Sequence, residues 1–184
     1  MIGVTGSTGT IGRELVRQLA GAGRPVRAFT RHPDGQEPLE GVDWVEADLS
    51  DRAGLADAFD GCDRLFLLTG NTEDMVRLQK NAVRAAGRAG VEHVVKLSAL
   101  GATDHSTSVI GLWHHNVEGA LRDSGLAWTI LRPHHFMQNL LDPVTFDRDA
   151  GVVRSAAGDG AIPFIDARDI AAVAATALAG NGHA

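Results

Sequence analysis

The chain reads as a three-layer, doubly wound parallel α/β sheet, and three observations predict it. Short apolar runs alternate with helix-length amphipathic segments along all 184 residues, the pattern of parallel strands covered on both faces. The run Gly3-Val-Thr-Gly-Ser-Thr-Gly-Thr-Ile-Gly12 stands between the first apolar run and the first amphipathic one. It therefore opens the chain as strand, tight turn and helix. Hydrophobic residues make up 44% and charged residues 22%, ordinary values for a single domain of this length with one core.

Each element can be justified in order. The first strand is Ile2–Thr5, and a helix follows over 10–22, with Ile11, Leu15, Val16 and Leu19 on one face and glycines 21 and 23 ending it. A second strand spans Val26–Thr30; the turn-rich residues 31–41 are loop, and the third strand is Asp43–Ala47. Ser50 stands as a cap for a helix over 52–59. Arg64–Thr69 is almost continuously apolar, as a strand buried on both faces must be. A helix over 73–89 carries Met75, Leu78, Ala82, Val83 and Ala86 as its stripe, and leads to a strand at His93–Ser98. A helix over 111–123 ends at Ser124-Gly125, and Ala127–Leu131 is stopped by Pro133. Short strands near 152–155 and 163–165 precede a helix over 167–179, with Asp166 placed to cap it.

The glycine turn implies a phosphate site. Gly6 permits the turn, Gly9 allows close backbone approach to a pyrophosphate, and Gly12 lets helix and strand pack. Thr8, Thr10 and Ile11 complete the cradle, where the positive end of the helix meets the phosphates. A dinucleotide is the ligand this arrangement suits. Where an NAD-preferring site places an acid at the end of the second strand, this chain has Thr30-Arg31-His32. A guanidinium binds a 2′-phosphate through two parallel hydrogen bonds, so Arg31 points to NADP(H) in preference to NAD(H), with NAD(H) still accommodated. Asp48-Leu49 either border the adenine ring or, for Asp48, satisfy backbone N–H groups in the next turn. Ligands in open parallel sheets sit at the carboxyl ends of the strands. Thr69-Gly70-Asn71 and Ser98-Ala99-Leu100 should therefore flank the nicotinamide half.

Several classes are excluded or disfavoured. The net charge of -6, with no basic run, argues against nucleic acid. No apolar stretch approaches the roughly 20 residues of a membrane helix. The first residues carry no basic region followed by an apolar signal segment, so secretion is not expected. The single cysteine, Cys62, suits a reducing cytoplasm and is expected to be a small buried or loop residue rather than a reactive thiol. The doublets His134-His135 and His114-His115 each offer one good ligand at most, so no metal site is expected. No Gly-x-Ser-x-Gly setting supports a hydrolase.

Together, Thr5-Gly-Ser-Thr-Gly-Thr-Ile-Gly12, Ala47-Asp-Leu-Ser50, Val95-Lys-Leu-Ser-Ala-Leu-Gly101, Leu131-Arg-Pro133 with Phe136-Met-Gln-Asn139, and Phe164-Ile-Asp-Ala-Arg-Asp-Ile-Ala171 resemble the NmrA-like family of atypical short-chain dehydrogenases/reductases. The resemblance implies a Rossmann domain that binds NADP(H). Its members include quinone and azo-dye reductases and also regulators that bind the nucleotide without turnover. A hydride-transferring oxidoreductase with a quinone-like or other small-molecule acceptor is the expectation, and a redox sensor acting through a protein partner is the alternative.

The superfamily's usual Tyr-x-x-x-Lys pair is absent, because the chain has no tyrosine. His114 and Glu118 stand in its place, four apart on one helix face. A histidine titrating near 6.5 could donate a proton to the acceptor, with Glu118 orienting the imidazole and favouring its charged form. The plain alternative is a surface pair. Ser98 is either a catalytic hydroxyl or a loop cap. Lys96, within an otherwise apolar strand, is either a buried lysine tuned for chemistry or, as the commoner outcome, a stem that snorkels toward the sheet edge. Phe136, Met137 and Trp113 could line an apolar acceptor pocket or equally belong to the core, and for Trp113 the core is expected. Family members usually continue well beyond this length into a second lobe over the nicotinamide. Residues 1–184 are accordingly read as one domain with that lobe absent or truncated. Either the chain is a shortened form, a homodimer or regulatory protein partner covers the open side, or the protein binds nucleotide and does little chemistry.

Overall fold

A computed structural model describes residues 1–142, 146–155 and 158–180. Six parallel strands form the central sheet: β1 (Ile2–Val4), β2 (Val26–Thr30), β3 (Val42–Glu46), β4 (Arg64–Leu67), β5 (His93–Leu97) and β6 (Ala127–Leu131). Their spatial order is β3-β2-β1-β4-β5-β6, so the strand order reverses between β1 and β4 and opens a crevice there at the carboxyl ends. The helices are α1 (Thr10–Gly21), α2 (Leu55–Phe59), α3 (Met75–Arg88), α4 (Val109–Arg122) and α5 (Ala167–Ala179).

Alternation along the strands divides the core in two. Val4, Phe66, Val95 and Leu97 join α1 and α5 on one face. Leu65, Leu67 and Val94 join α2, α3 and α4 on the other. The same alternation sends Lys96, between Val95 and Leu97, to the α4 face. Small strand pairs β7 (His135–Phe136) with β10 (Phe164–Ile165), and β8 (Phe146–Asp147) with β9 (Val152–Val153), complete the chain.

The expected strands are present with ends shifted by a residue or two, and β2 and β6 match at both ends. The helix placed over 52–59 starts only at Leu55, and Ser50 does not cap it. Asp48 Oδ1 accepts the Ser50 N–H at 2.7 Å, and Asp51 Oδ1 accepts the Ala53 N–H at 3.1 Å. Two successive Asx turns thus take the backbone donors and delay the helix. The cap at Asp166 forms, its carboxylate accepting the Arg168 N–H. Residues 181–184 at the chain's end lie outside the described residues.

Candidate functional site

The glycine turn has the geometry a phosphate cradle needs. Gly6 has φ +63°, a left-handed conformation that favours glycine. A methyl group at Gly12 would stand 2.0 Å from the Gly6 carbonyl oxygen, so helix and turn pack at a distance no side chain permits. Thr5 Oγ1 donates to the Leu68 carbonyl and accepts the Leu68 N–H, both at 2.9 Å, which fastens the end of β1 to the end of β4. Ser7 Oγ donates to Phe29 O at 2.7 Å and ties the turn to β2. Gly9 brings no side chain to cap α1, and no acid stands in its first turn. The N–H groups and positive end of α1 are therefore left for an anion.

A cleft of about 1480 Å³ runs from this turn across the carboxyl ends of the strands. Gly6, Thr8, Gly9, Thr10 and Ile11 form one part of its wall, and Arg31, His32, Asp48 and Leu49 form the part beyond β2 and β3. Thr69, Gly70 and Asn71 follow β4 into it; Ser98, Ala99 and Leu100 follow β5. His114 from α4 and Phe136 after β6 close the far end. Gly12 lies beneath the turn rather than on the wall. Met137 is exposed and stands outside the wall, because it follows Phe136 along extended backbone and neighbours there face opposite ways.

Buried amides on α3 hold two of these loops. Gln79 Nε2 donates to Thr69 Oγ1 at 2.8 Å, and Asn81 Nδ2 donates to Leu49 O at 3.0 Å. Both are polar residues inside an otherwise apolar helical stripe, the one signal in the sequence that marked them.

The His114–Glu118 pair differs from its expected form. Neither is a surface residue: both are buried. Glu118 does not orient the imidazole. Its carboxylate accepts from Ser98 Oγ at 2.5 Å, Arg122 Nη2 at 2.9 Å and Arg132 Nε at 2.9 Å. Burial works against ionisation of Glu118, but hydrogen bonds from Arg132, Ser98 and Arg122 hold its pKa at about 2. The neighbour of His114 is Lys96, whose Nζ lies 3.1 Å from Nδ1 and 2.9 Å from the Leu97 carbonyl. Lys96 does not snorkel; it is fully buried, because alternation along β5 aims it under α4. Burial lowers Lys96 to about 7. Burial first, and the Lys96 charge second, lower His114 to about 4, so the imidazole is neutral near pH 7 and does not titrate near 6.5.

Lys96 and Arg132 take their roles from partners on another element, α4. A lysine interrupting Val94-Val95 and Leu97 was the visible signal for one. Nothing local marks Arg132, which meets Glu118 across 14 positions of chain. Asp48 both lines the cleft and accepts the Ser50 N–H, which holds its carboxyl below the usual range. His134 and His135 are 2.7 Å apart, Nδ1 to Nδ1. Among the described residues no group of three His, Cys, Asp or Glu side chains is gathered as a metal site. No helix among them is long and apolar enough to cross a membrane. Cys62 is buried, and Trp113 packs against the core on the α4 face.

Known proteins are similar to this chain in sequence and in fold. The chain is 42% identical to a (4-alkanoyl-5-oxo-2,5-dihydrofuran-3-yl)methyl phosphate reductase of Streptomyces griseus, over all of this chain and 64% of the relative. It is 40% identical to an NAD(P)H azoreductase of Xenophilus azovorans, over all of this chain and 65% of that protein. Among solved structures, the NADPH-dependent quinone oxidoreductase of Escherichia coli complexed with NADPH superposes with a TM-score of 0.89 at 32% identity, covering all of this chain and 66% of that one. The chain thus spans just under two thirds of the length of these relatives. The family model described as NAD(P)H-binding matches residues 6–181. With the glycine turn, the reversal of strand order and the cleft between them, the chain belongs to the NAD(P)H-binding family of Rossmann proteins.

Proposed function

We propose that the chain acts as an NADP(H)-dependent oxidoreductase that passes hydride to a quinone-like or other small conjugated acceptor. The observation that carries this reading is the continuity of one cleft from the glycine turn, past Arg31, to His114 and Phe136. The names of the relatives, reductases of an azo dye, a quinone and a butenolide phosphate, support it.

The backbone of Gly6, Thr8, Gly9, Thr10 and Ile11 would hold the pyrophosphate, and Arg31 the 2′-phosphate. Asp48 and Leu49 would border the adenine. Thr69, Gly70 and Asn71, with Ala99 and Leu100, would flank the nicotinamide half, and Phe136 would offer an apolar face to the acceptor. When bound, the reduced dinucleotide supplies the hydride. The protein's own contribution is a neutral imidazole at the cleft wall. With Lys96 protonated, its ammonium 3.1 Å from Nδ1 would donate there and so place the imidazole proton on Nε2, the nitrogen left to meet an acceptor oxygen. Ser98, with its hydroxyl engaged by Glu118, acts by fixing the loop after β5 rather than by touching substrate.

Calorimetric titration of NADPH and NADH, followed by NADPH oxidation over a panel of quinones and azo dyes, tests the reading. Tighter NADPH binding and steady turnover are expected. Binding without turnover above the buffer rate would replace the enzyme with a nucleotide sensor. Arg31→Glu is expected to weaken NADPH by about 10- to 100-fold, the worth of a charge-assisted contact, and to leave NADH nearly unchanged. An unaltered NADPH/NADH ratio would remove Arg31 from the site.

A further inference from the structure

We infer that Lys96 is a positioning residue which sets the tautomer of His114 and resupplies its proton, the two forming a relay from beneath β5 to the cleft. This inference rests on the hydride-transfer reading above. Its geometric basis is a division of labour between two touching side chains. His114 forms part of the cleft wall. Lys96 does not; it is sealed under α4 with its Nζ on Leu97 O and His114 Nδ1. A buried ammonium demands acceptors on all sides. Here it has a carbonyl and an imidazole, with no carboxylate in contact, so one of its protons is directed along a single hydrogen bond toward the cleft.

The nearby charges favour transfer over permanent pairing. Glu118, one turn along α4, is taken up by Ser98, Arg122 and Arg132. β4 and β6 bring Leu65, Leu67 and Ile130 to this face, and α3 brings Ala82, Val83 and Ala86. With Lys96 lowered to about 7 and His114 to about 4, a proton can cross the imidazole without charging it for long.

The step balances as follows. As hydride brings an electron pair to the acceptor, its oxygen gains negative charge. The Nε2–H bond of His114 breaks and an O–H bond forms on the acceptor. The Nζ–H bond of Lys96 breaks and an Nδ1–H bond forms, leaving a neutral amine beside the inverted tautomer. After the product leaves, one solvent proton enters from the cleft at Nε2 and the Nδ1 proton returns to Nζ. This restores both the Lys96 ammonium and the Nε2–H tautomer, so one proton is consumed per hydride.

The tautomer can be read without cofactor. Long-range ¹H–¹⁵N NMR of the ligand-free chain, titrated from about pH 5 to about pH 9, should show His114 as the Nε2–H form at the acid end. Its ring nitrogens should shift as Lys96, followed through its Cε resonance, loses a proton near 7. An Nδ1–H tautomer throughout, or a Lys96 that titrates in the ordinary lysine range, overturns the relay whatever the activity. Lys96→Met is then compared with the wild-type chain in NADPH oxidation. The wild-type rate should fall as pH rises through the Lys96 transition, and the variant should be about 100-fold slower, as for loss of a general acid, with that limb gone. A variant that keeps the wild-type pH profile also overturns the relay. Absent turnover by the wild-type chain, with the NMR coupling intact, marks failure of the hydride-transfer reading instead and removes the relay with it.

Discussion

Lys96, His114 and Glu118 are buried together, and each has a proton affinity that differs between folded and unfolded chain. All three are lowered on folding: Glu118 to about 2, His114 to about 4, Lys96 to about 7. Between the folded and unfolded values the unfolded chain binds the extra proton, so stability rises with pH in each window. For Glu118 this means stability present above its unfolded value and lost as pH falls toward 2. For Lys96 it means a burial penalty in force below about 7 and relieved toward 10.5. One proton gives a slope of about 1.4 kcal/mol per pH unit. Urea unfolding of wild-type chain and Lys96→Met at pH 7, 8 and 9 should therefore show wild type gaining on the variant at about that slope. A constant gap would show that Lys96 titrates normally. At this scale the sequence was only partly legible. An i,i+4 spacing put His114 and Glu118 on one helix face. Which partner each took depended on Lys96 and Arg132, from other elements, and no local pattern encodes that choice.

Elements were the most legible scale, because periodicity and capping are local. Asp166 caps α5 as its type and place require, yet the cap has a second half. Gln138 Oε1 accepts the Ala167 N–H at 3.0 Å, and Gln138 Nε2 donates to Asp166 Oδ1. That reciprocal partner lies 28 positions away in sequence, so only the fold could supply it. Asp166→Ala should lower Tm by a few degrees, and Gln138→Ala should lower it less. Equal Tm values for all three chains would remove the cap from the stability of α5. Two helical glycines give a sharper contrast. Gly87 in α3 has open space where a Cβ would go, so Gly87→Ala should stabilise by about 0.5–1 kcal/mol through helix propensity. At Gly12 the same propensity gain is outweighed, because the added methyl would meet the Gly6 carbonyl at 2.0 Å. Gly12→Ala should cost about 3 kcal/mol or more and widen the phosphate turn. Denaturant midpoints for the two variants should move in opposite directions, and movement in the same direction would mean that α1 does not press on the turn.

For the whole molecule, the glycine turn, the Arg31 corner and the loops after β4 and β5 converge because the strand order reverses between β1 and β4. A ligand lying along the cleft would touch the ends of four adjacent strands, β3, β2, β1 and β4, and the loop after β5. Binding there must then stabilise the fold as a unit, since no unfolded chain can assemble those loops. At free NADPH about 100 times its dissociation constant, linkage contributes about 2.7 kcal/mol. For a domain of this size that is a rise in Tm of about 5–10 °C. NADH at the same concentration should give a markedly smaller rise, since Arg31 would then hold no phosphate. Arg31→Glu should bring the two curves together while leaving the ligand-free Tm near wild type, because Arg31 is exposed. The comparison separates a lost contact from a damaged fold. A fall in the ligand-free Tm would mean that Arg31 supports the loop after β2. An unchanged ligand-free Tm with an undiminished NADPH shift would mean that the 2′-phosphate is held elsewhere in the cleft.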